Sequence, residues 1–252
     1  MTELTEFHPV HNVMLRKLRS ISPLSDEEKQ CLLTLPLAVK SVGADQDIVR
    51  EGSRPTECCL VVEGFACRYK VTPDGRRQIF SFHLAGDIPD LQSLHLKVMD
   101  HSLTTLTPSQ LAFIPHGSLA NLMRRCPRVA DVMWRDTLID AAVFREWMMG
   151  IGRRCAETRI AHVLCEILVR MSAVGLANGR ACELPVTQTE LGDALGLSTV
   201  HVNRSLQELR AKQLISLRGG FLTVLNWEGL KEAGEFDPTY LHLDNQVEER
   251  VA

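Results

Sequence analysis

No stretch of the chain reaches the roughly 18 apolar residues that a membrane-spanning helix needs. Its opening, MTELTEFHPVHNVMLRKLRS, has no long apolar core for export either. No membrane association is expected, and the expected location is the cytoplasm. Catalytic signatures are also missing: there is no nucleophile elbow, P-loop, dinucleotide fingerprint or metalloprotease motif, so an enzyme is not expected. A strong charge of either sign is absent, the formal net charge being -3. Such a balance does not advertise nucleic-acid binding, so the charge has to be read locally. The cysteines, at 31, 58, 59, 67, 126, 155, 165 and 182, include no CxxC and no zinc-finger spacing with histidine, so no metal is expected. They read for the most part as reduced, buried, small hydrophobes.

What is present is the composition of a globular protein: 252 residues, 45% hydrophobic and 23% charged. That length suggests one large or two modest domains, with enough chain for proper cores without disulfide staples.

The most informative stretch is LPVTQTELGDALGLSTVHVNRSLQELR, from Leu184 to Arg210. Thr187 followed three residues later by Glu190 is a capping box, and Leu191, Ala194 and Leu195 repeat at helical spacing. Gly196 permits a sharp turn, and Ser198 caps a second helix that turns Val202, Leu206 and Leu209 inward. The outer face of that helix then carries Thr199, Val200, His201, Asn203 and Arg204. These are short or forked donors and acceptors with one methyl-bearing side chain, a set suited to base edges and phosphates. An ordinary helical hairpin within a core would share the spacing. The text that follows argues for more: Leu214 to Leu217 and Phe221 to Leu225 read as strands joined by Arg218-Gly219-Gly220. Helix, turn, helix and hairpin make a winged helix. Asn226 caps a last helix with Trp227 and Leu230, and the acidic tail after Gly234 is expected to be loose. From Arg153 to Leu225 there are nine basic and six acidic residues, a modest excess that fits few phosphate contacts per subunit.

With RRCAETRIAHVLCEIL before it and the looser N-terminal half, this stretch resembles the Crp/Fnr superfamily of bacterial transcription regulators, over roughly residues 20 to 230. The resemblance implies a sequence-specific regulator that binds double-stranded DNA as a homodimer, with RNA polymerase as a further partner and an unidentified small-molecule effector. It also implies an α+β fold: an N-terminal β-roll of the jelly-roll kind, joined by a long dimerisation helix to a C-terminal winged helix-turn-helix. Arg204 matches the family's guanine-reading arginine, whereas Val200 stands where the family commonly has glutamate. Val200 cannot accept from a cytosine amine, though it can pack on a thymine methyl, so the operator should differ from the family's usual site. Thr187, Ser198 and His201 are the candidate phosphate contacts, and Thr199, Val200, Asn203 and Arg204 the candidate base readers. The N-terminal cysteine cluster that holds an iron-sulfur centre in the oxygen-sensing branch is absent, since only Cys31 precedes Cys58. No cofactor is expected.

Ser25 with Glu28 forms another capping box, on a helix that Pro36 ends. From Lys40 to Ile114 come short apolar runs broken by EGS, EG, TPDG and AGD, the pattern of a compact β-roll. Cys58 and Cys59, adjacent in one run, should face opposite ways. The segment matching the family's cyclic-nucleotide pocket runs from Gly86 to Leu106. Gly86, Asp87, His101 and Ser102 are its candidate effector contacts. Asp87 replaces a longer glutamate, Pro89 removes an amide, and His101 stands where a phosphate-clamping arginine would be. A neutral imidazole is a weak substitute for a permanently charged fork, so cyclic-nucleotide binding is not expected.

From Pro127 to Ile151 the pattern is helical, with Val132, Ile139 and Val143 on one face and Leu138, Ala141 and Met148 on another. A helix apolar on two sides needs two partners, the β-roll and the same helix of a second subunit. Burial within one domain would satisfy the same pattern. Gly150 and Gly152 suggest a hinge. The expected divisions are therefore 1–126 for the sensor, 127–152 for dimer helix and hinge, 153–234 for the DNA-binding domain, and 235–252 for the tail. A module whose winged helix docks protein instead of DNA is the alternative reading.

Overall fold

A computed structural model describes residues 9–243. The first eight residues and the 244–252 part of the tail lie outside them.

The chain opens on α1 (Pro9–Ile21), a helix not anticipated from sequence. Val10, Met14, Leu18 and Ile21 recur every three or four residues and are buried, so one stripe of the helix faces the core. Next comes α2 (Asp26–Leu33), started by the expected capping box: Glu28 N donates to Ser25 Oγ at 3.2 Å and Ser25 N to Glu28 Oε2 at 2.7 Å. Seven strands follow: β1 (Ala38–Val42), β2 (Asp47–Val49), β3 (Glu57–Glu63), β4 (Ala66–Val71), β5 (Arg77–His83), β6 (Ser102–Thr105) and β7 (Ser109–Pro115). They form two antiparallel sheets, ordered β1-β7-β3 and β2-β6-β4-β5. Val49, Cys59, Val61, Met99, Leu103 and Leu111 share one core cluster of the roll. Cys58 faces the other way, into a second cluster with α1 and the helices after the roll. The alternation expected of two neighbours in a strand is therefore realised.

After α3 (His116–Arg125), the 27-residue α4 (Pro127–Arg153) crosses the molecule. Val132, Ile139 and Val143 are buried, as their shared face implies. Its other apolar face is open: Trp134 is 63% exposed, Leu138 49% and Met148 60%, with Ala141 between them. The expected hinge at Gly150 and Gly152 is corrected, because both lie inside the helix. The chain leaves helical geometry at Arg154 (φ -86°, ψ 149°). Glycine within a helix costs only about 1 kcal/mol, and Gly150 is buried beside Arg154, whose Nη1 comes 3.6 Å from where a Cβ would sit.

The C-terminal domain contains α5 (Ala156–Ala173), β8 (Ala177–Asn178), β9 (Ala181–Glu183), α6 (Gln188–Leu195), α7 (Thr199–Ala211), β10 (Ile215–Arg218), β11 (Phe221–Val224) and α8 (Trp227–Gly234). The predicted hairpin β10–β11 extends through β9 to β8, two strands too short to show a period. Asn226 caps α8, its Oδ1 accepting from Gly229 N at 3.0 Å. The tail beyond Gly234 is not loose as far as residue 243. Phe236 and Leu241 are buried, and a 3-10 turn, Pro238–Leu241, lies against α4. Its aromatic residues supply the reason, for acidity alone does not keep a segment in solvent when it carries apolar rings. Tyr240 stacks on His162, 5.7 Å between centroids, and donates to Glu166 Oε2 at 2.7 Å.

One hydrophobic cluster runs through both halves of the chain. Phe65, Ile79 and Phe82 of the roll join Val143 and Trp147 of α4 and the core of the winged helix. Cys31 and Cys126, 95 residues apart, are bonded, so these two depart from the reduced state expected of most of the cysteines.

Glu166 is fully buried and accepts from Tyr240, from Trp147 Nε1 at 2.9 Å and from Arg170 Nη1 at 3.1 Å. Removing the Tyr240 hydroxyl deprives it of one donor. Tyr240→Phe should lower stability by about 1–3 kcal/mol in urea unfolding, with the denaturant slope unchanged.

Candidate nucleic-acid interface

The capping box at Thr187 is formed: Glu190 N donates to Thr187 Oγ1 at 3.2 Å and Thr187 N to Glu190 Oε2 at 2.6 Å. Leu191, Ala194 and Leu195 are buried, and the helix ends at Gly196, whose left-handed φ of 64° is the turn that the sequence required. Gly192 is needed for a different reason. A Cβ there would come within 2.6 Å of Leu197 O, so the two helices could not close to this angle. Ser198 caps α7, accepting from His201 N at 3.3 Å.

Val202, Leu206 and Leu209 are completely buried, and every predicted reading residue is on the opposite side. Ser198, Thr199, His201, Asn203 and Arg204 are exposed, as is Thr187, and Val200 is 74% exposed. Asn203 Nδ2 donates to Gln188 Oε1 at 3.2 Å, and Arg204 Nε pairs with Glu208 Oε1 at 3.0 Å. Ser198 Oγ and His201 Nδ1 are 2.8 Å apart. These bonds between exposed side chains orient the face at little energetic cost, and each is weak enough to exchange for an outside partner. Gln188, at the start of α6, belongs to the same surface and was not singled out from sequence. Its signal was available, since it follows the cap Thr187 directly.

Each of the predicted effector residues has close neighbours within the protein. Gly86 lies against α1, with Lys17 Cβ 2.6 Å from the place of a glycine Cβ. Ser102 Oγ accepts from Glu51 N at 3.0 Å, and His101 Nδ1 lies 2.8 Å from Asp100 Oδ1. Asp87 is buried and fully engaged: Leu84 N donates to it at 3.0 Å, Lys17 Nζ is 2.8 Å away and Arg170 Nη2 2.9 Å. With donors on both of its oxygens, Asp87 has little acceptor capacity left to offer a ribose.

The structure instead builds a charged junction around a small cavity of about 50 Å³. Lys17 of α1 reaches Asp136 of α4 at 3.4 Å, Arg68 of β4 pairs with Asp140 of α4, and Arg170 of α5 links Asp87 to Glu166. Burial opposes the charge of Lys17, yet Asp136 and Asp87 outweigh it and raise its pKa. Burial likewise opposes the charge of Asp87, but Lys17, His83 and Arg170 hold its carboxyl well below the usual range. His83, 3.5 Å from Asp87, is driven down to about 4, mainly by burial and then by Arg68. Sequence reasoning missed this junction, although Glu166 and Arg170, one turn apart in the apolar run VLCEILVRM, were a signal. Nearby, Arg77 Nε of β5 holds Asp193 of α6 at 2.8 Å, and Gln78 Nε2 donates to Ala194 O at 3.2 Å, docking the first helix of the motif onto the roll.

Comparison with known proteins finds matches in both halves of the chain. The model of the cyclic nucleotide-binding domain matches residues 39–126, and that of the Crp-like helix-turn-helix domain matches residues 158–233. The chain is 28% identical over 204 residues to the transcriptional activator protein FnrL of Cereibacter sphaeroides, covering 80% of this chain and 82% of that protein. It is also 28% identical over 185 residues to the nitrogen fixation regulation protein FixK of Rhizobium meliloti, covering 73% and 80%. The solved structure of FixK2 from Bradyrhizobium japonicum superposes with a TM-score of 0.72 at 26% identity, covering 79% of this chain and 98% of that one. A β-roll, a long helix and a winged helix with a free polar recognition face define a DNA-binding transcription regulator. The chain belongs to the Crp/Fnr superfamily.

The junction carries a pH dependence. A histidine whose folded pKa is near 4, against about 6.5 unfolded, favours the folded state while neutral; that contribution is complete above pH 6.5 and is lost as pH falls toward 4. Asp90, pushed up to about 7 by burial, acts in the opposite sense over much of the window, so a paired comparison is needed. Between pH 7 and 4, wild type should lose about 3 kcal/mol of stability relative to His83→Gln in urea titrations, since each tenfold difference in proton affinity between the folded and unfolded chain is worth about 1.4 kcal/mol.

Proposed function

We propose that the protein acts in the cytoplasm as a homodimer, with two copies of α7 entering successive major grooves of a near-palindromic operator about 34 Å apart. The exposed face of α7, free of any packing duty, is the observation that carries this reading. Arg204 reads a guanine, Val200 packs on a thymine methyl, and Thr199 and Asn203 complete the base contacts. Thr187, Ser198 and His201 take phosphates. The open stripe Trp134, Leu138, Ala141 and Met148 supports the dimer, since its steps of four, three and seven residues are those of a helix seam that seeks a like partner. A contact with RNA polymerase follows from membership of the superfamily, and no catalytic activity is assigned.

The signal is read as something other than a cyclic nucleotide. The engaged state of Asp87 and the lack of an arginine at His101 support that reading, and no cofactor is invoked.

Fluorescence anisotropy on a duplex selected from a random pool, at fixed salt, tests the whole assignment. Specific binding unchanged by saturating cyclic AMP is the expected result. A tenfold tightening, about 1.4 kcal/mol, would refute the reading of the pocket, and absence of salt-dependent affinity would favour a protein-docking module. Arg204→Ala should weaken specific binding by about 1–3 kcal/mol and relax choice at one base pair per half-site. Leu138→Asp should shift sedimentation velocity from dimer to monomer with helical content retained.

A further inference from the structure

We propose that Cys31 and Cys126 form a reversible redox site, which exchanges with low-molecular-weight disulfides such as oxidised glutathione and sets how firmly the two N-terminal helices are held. The other cysteines lack either access or a partner. Cys58, Cys59, Cys67, Cys165 and Cys182 are buried. Burial pushes Cys58, Cys67 and Cys182 up to about 12 and raises Cys59 and Cys165 as well, so thiolate and access are both lacking. Cys155 is exposed but has no second cysteine beside it among the described residues. Cys31 and Cys126 are half-buried, meet across 95 residues of sequence with Cα atoms 6.8 Å apart, and are bonded.

Their position gives the bond a mechanical meaning. Cys31 is in the last turn of α2, and Cys126 is the residue between α3 and α4. The bond therefore fastens the N-terminal helices to the base of the dimer helix. Alongside it, Arg128 Nη2 donates to Ser22 Oγ at 2.8 Å, and α1 brings Lys17 to Asp87 and Asp136. When the bond opens, α2 is left with a capping box and few buried side chains of its own, Leu32 being the one that is fully covered.

The chemistry balances without a metal or an enzyme. The thiolate of either cysteine attacks one sulfur of the small disulfide, expels a small thiolate and leaves a mixed disulfide on the protein. The second cysteine, deprotonated, then attacks the protein-side sulfur and expels the other. Two protein thiols become one disulfide, two electrons reduce the small disulfide, and the two protons leave with its two thiols.

The test uses the full chain equilibrated in glutathione buffers of graded ratio, quenched with acid, alkylated and mapped by peptide mass. The expected result is a Cys31–Cys126 peptide that grows with oxidised glutathione and vanishes with reduced glutathione, while the five buried thiols stay unmodified in the folded protein. The oxidised form should melt about 5 °C or more above the reduced form. Amide exchange in residues 9–33 should quicken at least tenfold on reduction, with the roll unchanged. The Cys31→Ser, Cys126→Ser double variant should show no response to reductant in either measurement. The proposal is overturned by any of three results: a linked peptide that never exceeds background, a link that persists at every glutathione ratio, or glutathione captured on Cys155 alone. The titration and exchange use wild type, so they hold even if the variant does not fold. They involve no DNA, so their outcome is separate from that of the operator-binding experiment.

Discussion

The buried charges that meet between the roll, the long helix and the DNA-binding domain constrain everything around them. Lys17, Asp87, Arg170, Glu166 and Asp136 come from four separate parts of the chain, and each has its opposite within about one hydrogen bond. Charges removed from water are tolerated only when paired, so α1, the β5–β6 connection, α4 and α5 have to arrive in one arrangement or leave a stranded ion. Apolar contacts alone would allow these elements to slide.

The recognition surface follows the opposite logic. The face of α7 that points outward takes no part in the core, and the face that points inward is held by Val202, Leu206 and Leu209. Residues such as Val200, 74% exposed, are therefore free of folding constraints, and can be exchanged without consequence for the scaffold. The turn beneath them has no such freedom. Gly192 and Gly196 are fixed by close approach and by a left-handed backbone respectively.

Elements with a strong local signal were legible in the sequence. Thr187, Gly196 and Ser198 located both helices of the motif, and the Gly219-Gly220 step located the hairpin. The alternation of Cys58 and Cys59 was equally plain. What escaped were relations between distant parts. Asp87 was legible as a pocket residue by its position in the roll, yet its partners come from α1 and α5, and no local pattern announces a pairing 83 residues apart. The same holds for the Cys31–Cys126 bond. The tail was misread because its acidity was weighed above Phe236 and Tyr240, two rings that found His162. The hinge was misplaced because glycine permits a break but does not force one.

The continuous core has a consequence for motion. Since Phe82 and Ile79 of the roll pack with Trp147 and with the winged helix, and α4 continues unbroken through its glycines, the DNA-binding domain does not hang from a flexible tether. Close-packed interiors do not deform by degrees; they exchange one packing for another. Any rearrangement of this molecule must therefore resemble a latch with two seats rather than a pendulum, and whatever moves it has to supply the difference between those seats in a single step.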